Sequence, residues 1–168
     1  MRLTLAIAIV ALAGCAALTT TYDESIWLDG VGRIDRAAAL DRMAAARVVL
    51  LGETHDSSLH HALQLAVFQD FLRRGRRPAV VMEMFDEDSQ ADIDRLLFGD
   101  TSSDTTIDTT RDPSERADRI ASITNFEQRG WDWRFYRPIV TLAIAHRLPI
   151  IAANLSRERA REVGRSGF

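Results

Sequence analysis

Three short apolar runs constrain what this chain can fold into. They are RVVLLG at 47–52, AVVMEM at 79–84 and PIIAAN at 149–154. Each run is rich in aliphatic residues and does not alternate with polar ones, which is the pattern of a strand buried on both faces of a parallel sheet. Helix-length segments separate the runs, so right-handed crossovers are expected. The predicted fold class is therefore α/β, a parallel β-sheet with flanking helices built from repeated β-α-β units.

Helices are predicted before, between and after these runs, because apolar residues recur there at helical spacing. Ser57 or Ser58 is expected to cap a helix that ends near Gly75, and Ser156 is expected to cap the last helix. The polar segment GDTSSDTTIDTTRDPS at 99–114 cannot bury much surface, so we predict a flexible loop, with a functional lid as the alternative. The other predicted helices span 33–46, 86–98, 114–129 and 135–147.

The N-terminus predicts export and lipid attachment. Arg2 precedes an apolar stretch at 3–13 that is too short for a comfortable membrane span, and it runs into the sequence LAGC at 12–15. This is the pattern of a bacterial signal peptide, residues 1–14, that ends in a lipobox, with Cys15 as the lipidated N-terminus of the mature protein. Cys15 is the only cysteine, so no intramolecular disulfide can form. An uncleaved signal anchor is the alternative.

Lipidation at Cys15 predicts where the protein is located and how the rest of the chain is divided. Two or more acyl chains bind a protein firmly to a membrane, and Ala16, which is not Asp, favours the bacterial outer membrane on the side facing the periplasm. Residues 15–32 are expected to form a tether and 33–168 one α/β domain. A content of 46% hydrophobic and 27% charged residues agrees with a single globular core. A net charge of −3 without a basic face argues against binding to nucleic acid.

Polar side chains lie at the carboxyl end of each predicted strand. Glu53 and His55 follow the first strand, Glu83 ends the second and Asn154 ends the third. Ligands of open parallel sheets bind beyond the carboxyl ends of the strands. An imidazole beside carboxylates suits a divalent metal held by Glu53, His55 and Glu83, or a general base that an acid orients.

Structural roles are the alternative for the same side chains. A carboxylate inside the run VVMEMF at 80–85 would be buried and would need a partner, so Glu83 could instead form a salt bridge with Arg76 or Arg77. His55 could be a packed or helix-capping imidazole. On the next helix, His60 and His61 lie about 100° apart. We therefore expect at most one of the two, His61, to face the site and His60 to be solvated.

Aromatic residues cluster in the segment WDWRFYRP at 131–138. One interpretation is a core brace where a loop enters a helix, with Pro138 in the first turn. The other is an aromatic wall for a flat apolar ligand. In that case Tyr136 is a candidate iron ligand, because phenolate oxygen binds ferric haem in some proteins.

The motifs together resemble a known family. A lipobox at 12–15 is followed by LLGETHDSSLHHALQ at 50–64, VVMEMF, WDWRFYRPIV and PIIAANLSRERAREV, which occur in that order over about residues 45–165. This arrangement is similar to the ChaN-like haem-binding lipoproteins, whose superfamily includes the Tiki proteases and erythromycin esterases. The resemblance implies a parallel α/β fold, a role in haem and iron uptake, binding of haem, and a homodimer. It implies that a tyrosine holds the haem iron, and His55, His61 and Tyr136 are the candidate haem contacts.

The resemblance leaves a second function open and predicts a shortened chain. In the related hydrolases, residues at the positions of Glu53, His55, His61 and Glu83 carry metal binding or general-base catalysis. The alternative function is therefore a metal-dependent or His-based hydrolase in which Glu53, His55 and Glu83 are catalytic. Members of the family usually continue well beyond the third strand, so an incomplete sheet with an exposed edge is expected, and a remnant without function is a third interpretation.

Overall fold

The structure is a computed structural model that describes residues 27–28, 30–99, 112–126 and 130–167. The predicted signal peptide, Cys15 and most of the tether lie outside the described residues, as does most of the loop predicted at 99–114. A short 3-10 helix, Glu87–Ser89, precedes α3. In chain order the elements are β1 (Trp27–Leu28), β2 (Arg33–Ile34), α1 (Arg36–Ala45), α2 (Ser58–Arg73), β3 (Val80–Asp86), α3 (Gln90–Phe98), α4 (Pro113–Ile123), α5 (Trp133–Ala145), β4 (Ile150–Asn154) and α6 (Arg157–Ser166).

A parallel pair of strands lies at the centre of the fold. β3 pairs with β4 in the register Val80 to Ile150 and Met82 to Ala152, and an irregularity separates this stretch from the pairing of Asp86 with Asn154. The short strands β1 and β2 pair antiparallel in a separate sheet. The second and third predicted strands are thus confirmed, and so is the α/β fold class.

Helices cover one face of the β3 and β4 pair. Met82, Ile150 and Ala152 are buried on that face, because alternate residues of a strand point to the same side. The opposite face is open among the described residues, and Val81 and its register partner Ile151 are exposed by 64% and 39%. The core on the covered face includes Ile93, Leu97, Ala117, Ile120, Phe126, Tyr136, Val140 and Ile144.

The first predicted strand, 47–52, is wrong, because this segment belongs to neither a strand nor a helix. Val48 and Leu50 are exposed by 76% and 90%. Only Val49 packs, against a small second core of Leu40, Val67 and Phe71. A strand needs a neighbour for its backbone groups. Here the carbonyl of Leu51 instead accepts a hydrogen bond from the Gln64 side chain, at 3.1 Å.

A side chain occupies the outer edge of β4. Val80 N–H donates to the Pro149 carbonyl at 2.8 Å, so the backbone groups of Ile150 and Ala152 point away from β3. The Gln90 amide binds both of them. Its Nε2 donates to the Ile150 carbonyl at 3.0 Å, and its Oε1 accepts from Ala152 N–H at 2.7 Å. Gln90 therefore satisfies the backbone groups that a further strand would otherwise pair with.

The helix predictions are confirmed with shifted ends. Ser57 caps α2 by accepting from His60 N–H at 3.3 Å, and Ser156 caps α6. Helix α5 begins at Trp133 behind an Asp132 cap, so Pro138 lies inside the helix and not in its first turn. The predicted helix at 86–98 is α-helical only from Gln90, because Asp86 still belongs to β3 and Glu87–Ser89 form the 3-10 helix. No helix in the described part of the chain is long and apolar enough to span a membrane.

Candidate functional site

Glu53 is the centre of a cluster of polar and aromatic side chains. It lies in the loop between α1 and α2, and its side chain is only 6% exposed. The Tyr136 hydroxyl, from α5, donates to Glu53 Oε1. His55 Nδ1 lies 2.9 Å from the same oxygen. His61 Nδ1, from α2, lies 3.2 Å from the other carboxylate oxygen, Oε2. The structure thus brings together four of the predicted site residues.

The surroundings keep Glu53 ionised. Burial alone would raise the pKa of the Glu53 carboxyl, but hydrogen bonds from Tyr136, His55 and Gln64 and the nearby His61 outweigh it, so the pKa lies below its ordinary value. The pKa of the Tyr136 hydroxyl is raised, first by burial and then by its hydrogen bond to the Glu53 carboxylate. Tyr136 is therefore a phenol that donates, and Glu53 is a carboxylate that accepts.

His55 is the exposed member of the cluster. Its side chain is 56% exposed, whereas those of Glu53 and His61 are 6% and 4% exposed. A carboxylate can only accept, so the neutral His55 ring carries its proton on Nδ1, and the lone pair of Nε2 is left for another partner. The half-buried Trp131 ring meets the His55 ring edge to face, with centroids 4.5 Å apart. The site therefore presents a carboxylate-oriented imidazole beside an indole.

His61 fills the interior of the cluster. Its ring stacks on Phe135, with centroids 4.6 Å apart, and meets the Tyr136 ring edge to face at 4.8 Å. Its Nε2 lies 3.0 Å from the His55 carbonyl and must carry a proton, because a carbonyl only accepts. Its Nδ1 and Glu53 Oε2 are at ion-pair distance but do not form a hydrogen bond of ordinary geometry. His61 is thus a buried neighbour of Glu53 and not a surface group.

His60 is not solvated as expected. It is partly buried, and its Nδ1 accepts a hydrogen bond from Thr54 N–H at 2.8 Å. Both histidines of the pair therefore contact the site loop. The sequence analysis also missed Gln64, which lies four residues after His60 and so on the same side of α2.

Glu83 does not have the buried position that was predicted for it. It is exposed on the open face of the sheet, where no helix of the described residues covers it. Within the described residues it forms no ion pair, and Arg76 and Arg77 donate to the carbonyls of Ala46 and His146 instead. No three His, Cys, Asp or Glu side chains in the described part of the chain are grouped so as to hold a metal ion. The geometry therefore does not support the metal site predicted from Glu53, His55 and Glu83.

The structure shows most of the aromatic segment packed in the core, as the first interpretation predicts. Trp133 is a core residue, and its Nε1 donates to Asp118 Oδ1 at 2.9 Å. Tyr136 is 1% exposed and packs in the same core. Trp131, in contrast, lies at the surface beside His55. The segment is thus a core brace with one aromatic residue facing the site. Asn154, the other predicted polar residue, lies at the end of β4 opposite Asp86.

Comparisons with known proteins identify the family. A family model described as haem-binding uptake, Tiki superfamily, ChaN matches residues 39–168. The solved structure described as cofacial heme binding to ChaN of Campylobacter jejuni is similar in fold, with a TM-score of 0.61 and 21% sequence identity. The match covers 81% of this chain and 50% of that one, so the present chain corresponds to about half the length of that protein. No curated protein sequence matches the chain. The family match spans most of the chain, and the chain belongs to the ChaN family of the Tiki superfamily.

Proposed function

We propose that this protein binds haem and that His55 is its ligand to the haem iron. The observation that carries the proposal is the state of the His55 ring, whose Nδ1 is bound to Glu53 Oε1 at 2.9 Å and whose side chain is 56% exposed. Neutral imidazole nitrogen is a common protein ligand of haem iron. The family description, haem-binding uptake, supports haem as the molecule that is bound.

The three candidate haem contacts differ in how accessible their donor atoms are. The Tyr136 side chain is 1% exposed, and its hydroxyl is bound to Glu53. The His61 side chain is 4% exposed, and both of its nitrogens face protein atoms, the His55 carbonyl and the Glu53 carboxylate. Only His55 presents a nitrogen that no described residue occupies. The residues present therefore fit haem at His55, and Tyr136 and His61 support the site from inside.

Glu53 prepares His55 for this role. A carboxylate that accepts the second ring proton of a ligating histidine fixes its tautomer and makes the other nitrogen a better donor. Bound haem would supply the iron centre, and His55 Nε2 would bind it. Trp131, next to the His55 ring, offers an apolar surface beside that nitrogen. Burial of Glu53 keeps water from competing for its carboxylate.

Titration of the purified protein with hemin tests the proposal. We expect a saturable shift of the Soret band at micromolar hemin. We also expect His55→Ala to weaken binding by at least roughly tenfold, because one ligand bond is lost. His146→Ala is the matched control, since His146 is an exposed histidine at the end of α5. A folded protein that leaves the hemin spectrum unchanged would refute haem binding, and equal affinity of the two variants would refute the assignment to His55.

We further propose that the protein is a lipoprotein of the bacterial outer membrane, anchored through Cys15, facing the periplasm and serving haem and iron uptake. The sequence LAGC at 12–15 and the family description support this proposal. Export and lipidation predict that the mature chain fractionates with membranes and incorporates labelled palmitate. Cys15→Ser should abolish both. A Cys15→Ser protein that still carries the label would show that lipid attachment, if any, lies elsewhere.

A second candidate function is hydrolysis, and the Glu53 and His55 pair favours it. An imidazole oriented by a carboxylate is an effective general base. His55 Nε2 would take a proton from water, and the water oxygen would add to an ester or peptide carbonyl. The bond from that carbon to the leaving oxygen or nitrogen would then break as the leaving group takes the proton from His55. Panels of esters and peptides test this function. Full hydrolytic activity of His55→Ala would rule out this mechanism.

A further inference from the structure

A β-hairpin lies near the start of the described fold, a short way along the chain from Cys15. Its strands are Trp27–Leu28 and Arg33–Ile34, which pair antiparallel, and residues 29–32 connect them. Gly30, in this connection, has a φ of +88°, a backbone conformation that glycine adopts readily. β1 also contacts α1, so the hairpin belongs to the folded part of the chain.

Two large apolar side chains of the hairpin are exposed. Val31, in the connection between the strands, is 96% exposed, and Leu28, at the end of β1, is 68% exposed. Exposed apolar residues are common on proteins when they are single and scattered, but these two lie three positions apart on one short hairpin. Covering them would remove apolar surface from water, which is favourable. We refer to Leu28 and Val31 as the hairpin tip.

The proposed lipid anchor keeps the hairpin tip near a membrane. Residues 16–26 separate Cys15 from Trp27. A fully extended chain spans at most about 3.6 Å per residue, so Trp27 lies within about 45 Å of Cys15 in any conformation. Contact between the tip and the bilayer is therefore an intramolecular event once Cys15 is anchored, and its effective concentration is raised.

We infer that the hairpin tip contacts the surface of the lipid bilayer in which Cys15 is anchored, a role that rests on the proposed lipidation of Cys15. Two side chains are too few to hold an untethered protein on a membrane, since even a single myristoyl chain binds only marginally. In an anchored protein the same contact acts on orientation instead. It fixes which side of the α/β domain faces the bilayer.

The charge of the hairpin indicates that this contact is apolar. Within residues 27–36, Arg33 and Arg36 are balanced by Asp29 and Asp35, so the segment carries no net charge. The whole chain has a net charge of −3, which does not attract it to anionic lipids. Contact of the tip with the bilayer should therefore persist at high salt, which screens charges.

A fluorescent thiol label beside the tip tests the inference in the full-length, lipidated protein. Cys15 is the only cysteine, and lipidation blocks its thiol, so an introduced cysteine is the only one that the label reaches. Gly32→Cys suits this purpose, because a Cβ at Gly32 meets no atom within 4 Å and the φ of Gly32 is not positive. Gly164→Cys, in α6, is the matched control with the same two properties.

Each variant is labelled with bimane and reconstituted into vesicles of phosphatidylethanolamine and phosphatidylglycerol that contain a phospholipid with a spin label in its acyl chain. We expect the emission at Gly32→Cys to shift to the blue and to be quenched. The emission at Gly164→Cys should do neither. High salt should leave the quenching at Gly32→Cys unchanged, and quenching that disappears at high salt would overturn the apolar contact.

Replacement of the tip residues separates their contact from that of the label. Leu28→Asn together with Val31→Asn, in the Gly32→Cys background, should remove the blue shift and the quenching. The protein should still fractionate with membranes, because the lipid anchor remains. Circular dichroism checks the fold, and Val31→Asn alone replaces the double variant if the latter does not fold. Quenching that survives these changes would overturn the role of the tip.

The test also separates the hairpin from the lipid anchor. Incorporation of labelled palmitate shows whether Cys15 is lipidated. Lipidated protein with equal emission at Gly32→Cys and Gly164→Cys would leave the anchor in place and refute the contact of the tip alone. Protein without the lipid would refute both proposals, because nothing would then hold the tip near the bilayer.

Discussion

Tyr136 and Glu53 are 83 residues apart in the sequence, and the Tyr136 hydroxyl donates to Glu53 Oε1. Both side chains are buried, Tyr136 to 1% exposure and Glu53 to 6%. A buried carboxylate is stable only when donors satisfy it. This contact therefore connects α5 to the site loop and makes the ionised state of Glu53 part of the fold.

Tyr136→Phe should destabilise the protein by about 1–3 kcal/mol, because it removes one donor from a buried carboxylate. Urea unfolding measures the loss. The double variant with Glu53→Gln tests the mechanism. If the hydroxyl acts through the carboxylate, the two effects should be non-additive by about 0.5–3 kcal/mol. Strict additivity would show that the Tyr136 hydroxyl does not act through the Glu53 carboxylate.

Asp118→Asn should destabilise the protein at neutral pH but not near pH 2. The Arg137 guanidinium, which donates to both carboxylate oxygens at 2.7 and 2.8 Å, and Trp133 Nε1–H lower the pKa of Asp118 from 3.8 to about 2. A group with a lowered folded pKa contributes stability above its unfolded pKa and loses that contribution as the pH falls through the folded value. The gap between variant and wild type should thus close between about pH 4 and pH 2.

Asp92→Asn is the control for the Asp118 prediction. Asp92 forms an exposed pair with Arg95 one helical turn away, at 2.6 Å, and such pairs contribute about 0–1 kcal/mol. Thermal unfolding across the acid range compares the three proteins. A gap for Asp118→Asn that stays constant down to pH 2 would contradict the assignment.

Leu50→Ser should change the free energy of unfolding by less than about 0.5 kcal/mol, because Leu50 is 90% exposed. Val49→Ala should cost about 1 kcal/mol, since Val49 packs on the Leu40, Val67 and Phe71 core. The comparison tests whether the 47–52 segment is a buried strand. A large loss of unfolding free energy in Leu50→Ser would show that Leu50 is buried, as in the strand that the apolar run predicts.

Gln90→Leu should destabilise the protein by about 1–3 kcal/mol, because the Ile150 carbonyl and Ala152 N–H both lose their partner. Gln90→Glu keeps the acceptor for Ala152 N–H but sets a carboxylate oxygen against the Ile150 carbonyl and the Asp94 carboxylate, so it should be destabilised as well. Urea unfolding of both variants measures the difference. Equal stability of Gln90→Leu and wild type would show that solvent replaces the amide at this edge.

Local patterns predicted the helices and two strands, because helix caps and apolar periodicity are properties of neighbouring residues. The 47–52 run has the composition of a strand, but pairing depends on another strand that a local pattern cannot supply. Glu83 was expected to be buried because its run has the composition of a strand covered on both faces. It is exposed because one face of the two-stranded pair is open among the described residues. Glu53 and His55 were identified from position alone, but the Tyr136 contact joins distant segments and could not be derived from spacing.

The Gln90 amide leaves only one edge of the central sheet at which a further strand can pair. β4 has β3 on one side and Gln90 on the other, so its backbone positions at Ile150 and Ala152 are closed to any further strand. No strand of the described residues pairs with the second edge of β3. Any polypeptide that extends this sheet therefore adds beside Val81 and Glu83, on the β3 side, whether it comes from the same molecule or from another.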